Sequence, residues 1–567
     1  MGRKGSVNKQ AIIIFLLLAN CFLQIRAQQV SQSVVIDHAC LRIAHSMYDS
    51  GTIHIFLKNL SDEEIRVEKI FLNITALIDL PNDVAFWWQS VPNPIPPKRI
   101  SAILIKLAES LPLPIEVKIE LSNGNLIEQR IDKIQTLKIS FVGFDLDNKT
   151  IYVYLENLGD KPLNVERLFL DSQDITSQIT NPVRAILPLE KNCLAINLKE
   201  PLRQGEFITL KLETMEGEVA EATVRVFSYF PITSWDGDNP KELNFDSPPF
   251  LNLYTPNPEK LVEFKTRSPN MVHLLFDDPA GMDIKNSSSE GNSEPSLGQV
   301  AMEIVSYNED CHRFDPQHLT TICLRDTEKF RAYFIYGELA DSLAIHPCEG
   351  VYYMHRPIRD AYLTALGKLA CEPRPLLVLP EAFRAIGRCG ASPRYPTPEE
   401  LRLIVYYEIA NGAKGLLYYK KSGLGGFETQ PDLSREIGKI NREISEVKEL
   451  LKIGDTFQLA EASNPQVETY SILCGDKAIA LILINHDYDC NFSSASRAFN
   501  YRVKKNFAVT IDIPLWLEIK EAYEISEGGK SIPVRFRIVG RRKAIIYVKE
   551  LDLTKMIILK TKLVKGE

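Results

Sequence analysis

The chain lacks most of the signatures by which a function is read at sight. Its 10 cysteines are scattered through 567 residues with no CxxC pair, which excludes a disulfide-rich scaffold. It lacks a surplus of positive charge: 66 Lys and Arg face 73 Asp and Glu, a formal net charge of −7. A nucleic-acid binder needs a basic face, so that partner class is excluded. There is no run of like charges of the kind that marks an interaction tail. No nucleotide-binding glycine fingerprint, serine nucleophile elbow or HExxH is present. Past the first thirty residues no segment reaches the ~18 apolar residues of a membrane helix.

What is present starts with an export signal. Arg3, Lys4 and Lys9 precede the apolar stretch AIIIFLLLANCFL, and Ala27 supplies the small residue before a cleavage point at Gln28. The apolar core of about 13 residues is too short to span a bilayer. The expected mature protein is secreted, periplasmic or held at the cell surface, with no membrane span once the leader is removed. Five cysteines, Cys311, Cys323, Cys348, Cys371 and Cys389, fall in one region. One or two bridges there are open, with buried free thiols the expectation for most.

The length predicts about three to five domains. An internal repeat organises the first part. IHIFLKNLSDEEIRVEKIFLN begins at Ile53, and IYVYLENLGDKPLNVERLFLD begins 98 residues later at Ile151. Each copy alternates apolar and polar residues about an Asn-Leu-Ser/Gly-Asp turn, a hairpin signal. A period near 100 residues matches one immunoglobulin-like β-sandwich per copy, here 28–135 and 136–226. Adjacent Trp87 and Trp88 point to opposite faces of a strand, so core packing with a domain contact is expected, and a carbohydrate-binding face is the alternative.

From about residue 227 short apolar runs (VRVFSYF, FLNLY, MVHLLF, TTICL, SLAIH, PLLVL and KGLLYY) alternate with helical segments. Continuously apolar strands between helices mean a parallel sheet covered on both faces, and seven of them suggest a compact or incomplete (β/α)8-type barrel over 227–455. Its best-punctuated helix has Thr397 as cap with Glu400 three residues on, Pro398 in the first turn and Gly412 at the stop. Ile437, Ile440, Ile444, Val447 and Leu451 form one stripe of a long amphipathic helix. Strand-like segments return over 456–567, predicting a third sandwich.

Three stretches in this region carry a resemblance. LLFDDP followed by FDPQHLTTICL, then PLLVLPEAF, then TPEELRLIVYYEIANGAKGLLYY, are similar to stretches of modular glycoside hydrolases built on a (β/α) barrel flanked by β-sandwiches. The resemblance covers about 225–452. It implies a proton donor at Asp278, where the pattern has Glu, and a nucleophile or base at Glu381. Hydrolysis of a glycosidic bond needs two carboxyl groups on opposite sides of it, and barrel sites lie at the carboxyl ends of strands. Asp is shorter than Glu by one bond, about 1.5 Å, so the donor is either compensated by the backbone or lost. Asp277, Tyr254, His346, Tyr418 and Tyr419, also at strand ends, are the candidate substrate contacts, tyrosine offering a flat face with a polar edge.

Other readings stay open. Asp277 and Asp278 could terminate a strand, and Glu381 could pair with Arg384 or Arg388. Cys311, His312, Asp315 and His318 fall on the amino-terminal, stability side of the barrel, where a turn is expected and no metal. No cofactor is expected. The function expected is hydrolysis of an extracellular polysaccharide or oligosaccharide. The alternative is a non-catalytic carbohydrate-binding or structural envelope protein on a degenerate barrel.

Overall fold

The computed structural model describes residues 34–43, 51–73, 75–76, 85–108, 111–132, 134–181, 185–234, 251–253, 272–277, 297–324, 330–346, 356–382, 395–418, 426–490, 499–540 and 542–564. The segment expected to be an export signal lies outside them. The chain is mostly antiparallel β-structure with a few helices and one parallel sheet. Among the described residues no helix is long and apolar enough to cross a membrane.

The first two sheets, of four strands each, enclose one core. Ile53, Ile55 and Leu57 of strand Gly51–Asn59 meet Ile70, Val117 and Ile119 of the facing sheet. The repeat is visible in three dimensions, but its turn is not a hairpin. Gly51–Asn59 and Val67–Leu72 belong to different sheets, as do their repeat equivalents Thr150–Asn157 and Leu163–Leu170. The turn carries the chain from one sheet to the other. Its asparagine holds the corner identically in each copy. Asn59 Nδ2 donates to the carbonyls of Glu63 (2.8 Å) and Ile95 (3.1 Å), while its Oδ1 accepts from Ser61 N (2.9 Å). Asn157 Nδ2 donates to Lys161 (2.7 Å) and Ile186 (3.0 Å), and its Oδ1 accepts from Gly159 N (2.9 Å). Both asparagines are fully buried, so these bonds satisfy groups that would otherwise be costly to enclose.

The parallel sheet has seven strands among the described residues. Its order is Ile232–Ser234, Leu416–Tyr418, Leu376–Val378, Ser342–Ile345, Leu319–Leu324, Val272–Asp277 and Leu251–Leu253. Every neighbouring pair is parallel. The two ends of this path are consecutive in the chain, which is the order of a ring opened between its first and second strands. The first strand differs from the one read in the sequence. The opening residues of VRVFSYF close strand Val219–Arg225 of the preceding sandwich, and the parallel sheet begins after Pro231.

Alternation divides the sheet into two rows. Val272, Leu274, Leu319, Cys323, Ala344, Leu377, Leu379 and Leu417 pack together on one face. Ile322, Leu324, Leu343, Ile345, Leu376, Val378, Leu416 and Tyr418 join the large core shared with the helices. Helix Pro398–Ala410 opens with the expected capping box: Glu400 N donates to Thr397 Oγ1 (3.1 Å) and Thr397 N to Glu400 Oε2 (2.8 Å). Gly412, past its end, takes φ +100°, a conformation that favours glycine. The stripe Ile437, Ile440, Ile444, Val447 and Leu451 is buried, and its helix breaks into Pro431–Ser445 and Lys448–Leu451. Six- and four-stranded antiparallel sheets follow to residue 563.

Trp87 is buried and joins the first sandwich to the parallel region. Its Nε1 donates to the Ile335 carbonyl (2.6 Å), and Gln89 Nε2 to the Glu338 carbonyl (2.8 Å). Trp88 packs half-buried against the sandwich core. Trp87 makes the domain contact, while Trp88 packs on its own sandwich. Cys193, Cys311, Cys323, Cys371 and Cys474 are buried free thiols.

Candidate functional site

Glu381 stands three residues past the carboxyl end of strand Leu376–Val378 and is 1% exposed. Its Oε1 lies 4.0 Å from Arg359 Nη2, in the first turns of helix Arg356–Cys371. The same guanidinium donates to Asp360 Oδ1 at 3.2 Å. Glu408, on helix Pro398–Ala410, is fully buried in the same neighbourhood. Burial first, and then the negative fields of Asp360 and Glu381, push its carboxyl well above the ordinary range. The enclosed group thus combines three carboxyls with one guanidinium, and burial disfavours the charged form of Glu408. Sequence reading missed Arg359, Asp360 and Glu408. The available signal was Glu408 as a lone acid in the otherwise apolar run LIVYYEIA.

His346 follows strand Ser342–Ile345, directly beside the strand that leads to Glu381. Leu379 N donates to the Ile345 carbonyl at 2.8 Å, so His346 and Glu381 leave adjacent strand ends. His346 is fully buried and follows Ala344 in the interior row. Tyr418 does not join them. It was expected at the rim, but alternation places Leu417 in the interior row and Tyr418 on the helix side. There burial, then the fields of Glu408 and Glu436, raise its phenol far above the usual range. A tyrosine so placed packs between sheet and helices and is not a rim contact.

Asp277 closes strand Val272–Asp277 in register with Cys323, an interior-row residue. An irregularity at Leu275 sets that register: Leu274 pairs with Thr321, and Phe276 with Ile322. The side chain of Asp277 lies outside the described residues, as do Asp278, Tyr254 and Tyr419.

The sequence cluster at 311–318 separates. Cys311 is a buried free thiol. His312 Nε2 turns to Asp341 Oδ1 at 3.0 Å. Asp341 also accepts from Arg225 Nη1 (2.6 Å) and Thr320 N (3.0 Å), tying the amino-terminal ends of the strands to the preceding sandwich.

No protein-family model and no curated protein matches the chain. Among solved structures it is similar to a cycloisomaltooligosaccharide glucanotransferase from Paenibacillus sp., with TM-score 0.39 and 9% identity over 75% of this chain and 100% of that one. It is also similar to α-L-fucosidase isoenzyme 2 from Paenibacillus thiaminolyticus, with TM-score 0.33 and 9% identity over 54% of this chain and 80% of that one. A short part, 16% of the chain, resembles the archaellum periplasmic stator complex of FlaF and FlaG from Sulfolobus acidocaldarius, covering 90% of that chain at 19% identity and TM-score 0.15. Glycoside hydrolases recur among these neighbours. At such TM-scores and identities the likenesses assign neither a family nor an activity.

Proposed function

We propose that the chain is an exported glycoside hydrolase that cleaves a glycosidic bond of an extracellular polysaccharide or oligosaccharide. Asp278 is the proton donor and Glu381 the nucleophile or base, with Asp277, His346, Tyr254 and Tyr419 as candidate substrate contacts. The observation that carries the reading is the position of Glu381 past the carboxyl end of a strand in an all-parallel sheet, the end where such sheets hold their ligands. The strand leading to Asp278 is three places away in the same sheet. At about 4.8 Å per place the arc is about 14 Å. Carboxylate-pair hydrolysis needs the two groups ~5–10 Å apart, and this reading requires the two strand ends to bring them that close.

A second reading has its own observation. Glu381 is 1% exposed and faces Arg359, as a structural carboxylate would. This favours a non-catalytic carbohydrate-binding or envelope protein on a degenerate barrel. Both readings are tested by assaying a polysaccharide and oligosaccharide panel with wild type, Asp278→Asn and Glu381→Gln. The hydrolase reading expects turnover by wild type and a loss of about a hundredfold or more in each variant. Turnover untouched by both substitutions removes the assignment of this pair. Glycan binding without turnover leaves the second reading standing.

A further inference from the structure

We propose that His273, Asp315 and His318 form a binding site for one divalent transition-metal ion of the zinc class, held between the parallel sheet and helix Leu297–Phe314. The three come from separate elements. His273 is the second residue of strand Val272–Asp277, Asp315 follows the helix, and His318 precedes strand Leu319–Leu324. Val272 and Leu274 occupy the interior row, so alternation gives His273 the helix side. The site lies at the amino-terminal ends of the strands, the opposite end of the sheet from Glu381. It is therefore independent of the proposed hydrolase chemistry.

The donor set is two imidazole nitrogens and a carboxylate. His273 Nε2 and His318 Nδ1 each lie 2.8 Å from the same oxygen, Asp315 Oδ2. One ligand atom from each residue falls within 4.8 Å of the others. All three side chains are enclosed, at 1%, 0% and 0% exposure. The second carboxylate oxygen, Asp315 Oδ1, is buried and has no hydrogen-bond partner among the described residues. Two nitrogens crowding one oxygen while its twin stands unsatisfied is a poor use of a buried carboxylate. It is a good arrangement for an ion. Bonds of about 2.0–2.2 Å in tetrahedral array set donors about 3.3–3.6 Å apart. The present 2.8 Å contacts need to open by about 0.5–0.8 Å, and Oδ1 can replace Oδ2 as the carboxylate ligand. Two imidazoles and a carboxylate suit zinc and its neighbours rather than magnesium or calcium. With no exposed side, the role is structural, and the ion enters as the chain folds.

This runs against the sequence expectation of no metal at Asp315 and His318. The residue that changes the reading is His273, 42 positions away. The test uses the full chain, refolded from guanidinium with excess Zn2+ or with a chelator, then desalted for elemental analysis. About one equivalent of zinc is expected in wild type, with a higher unfolding temperature than the chelated form. His273→Gln and Asp315→Asn should retain little. Co2+ in place of zinc should give visible bands of tetrahedral nitrogen and oxygen ligation that His273→Gln loses. Should the variants fail to fold, the wild-type stoichiometry and cobalt spectrum decide. Wild type that holds no zinc after refolding overturns the proposal, as does zinc held equally by well-folded His273→Gln.

Discussion

Replacing Glu338 by Gln tests what holds the first sandwich to the parallel region. Glu338 is 7% exposed. Its Oε2 accepts from Thr52 Oγ1 at 2.6 Å and lies 3.8 Å from Lys106 Nζ, and its Oε1 lies 3.4 Å from His54 Nε2. Thr52, His54 and Lys106 all come from the sandwich. Lys106 is 1% exposed, and burial, opposed by Glu338, already lowers its pKa. Gln keeps the volume and an acceptor for Thr52, so the substitution removes the charge alone. Breaking a buried ion pair on one side costs about 3–5 kcal/mol, because the survivor stays enclosed and uncompensated. Lys106 can escape by shedding its proton. Even from an ordinary 10.5 to a working pH of about 7.5 that escape costs about 4 kcal/mol, at 1.36 per unit, and the lowered folded pKa makes it cheaper, so it caps the loss. The expected destabilisation is therefore below about 4 kcal/mol. The readout is the first transition in urea unfolding, followed by tryptophan fluorescence, since a multidomain chain need not unfold in one step. Trp87 sits in this seam and reports on it. A cycle with Lys106→Met separates the pair from its surroundings, and the double variant should recover much of the loss. A Glu338→Gln shift under about 1 kcal/mol, or a double variant no better than the single, refutes the reasoning.

Two further predictions concern pH. Burial, aided by the charge of Arg42 and opposed by Glu338, lowers His54 from 6.5 to about 4. Between those values the unfolded chain takes up a proton that the folded chain refuses, so stability falls on acidification from pH 6.5 to about 4, by up to about 3 kcal/mol. Urea midpoints across that window should fall less steeply for His54→Asn, and parallel slopes would dispose of the idea. Glu408 is the opposite case: its folded pKa is raised, so the folded state keeps a proton the unfolded chain releases, and stability falls as pH rises above 4.5. Glu408→Gln should therefore be more stable than wild type at pH 8 by about 1–3 kcal/mol. A loss of stability there would mean that Glu408 is a paired carboxylate.

What could be read in the sequence follows what periodicity and local chemistry encode. The capping box at Thr397 and Glu400 and the Ile437 to Leu451 stripe were legible because cap and stripe are fixed by residues within a few turns of one another. The repeat was legible too, but its turn was misread. A strand that alternates reports that one face is buried, not whether the next strand pairs beside it or lies across the core. At Asn59 and Asn157 the decision falls to contacts with Ile95 and Ile186, 36 and 29 residues away, and no local pattern carries those. Tyr418 failed for a related reason. A one-residue change of parity moves a side chain from the mouth to the helix layer, and a three-residue strand is too short to fix parity by eye.

The candidate site divides along the same line. Glu381 was placed because it ends an apolar run, which is local. Its company of Arg359, Asp360 and Glu408 comes from two neighbouring helices and became visible only when they packed. The buried charges of this chain form one kind of problem. Lys106 lies in a strand that otherwise reads as apolar, Glu408 in the apolar run LIVYYEIA, and His273 in MVHLLF. Each departs from the pattern around it, and burying a charged or polar group is costly without a partner. The sequence therefore marks these positions as needing partners without naming them. Packing supplies Glu338 to Lys106 and Asp315 to His273, and at Glu408 burial raises the carboxyl pKa instead. A polar residue inside an apolar run is accordingly a better pointer to unassigned chemistry in this chain than the strand-end tyrosines were, because the energetic demand precedes any assumption about substrate.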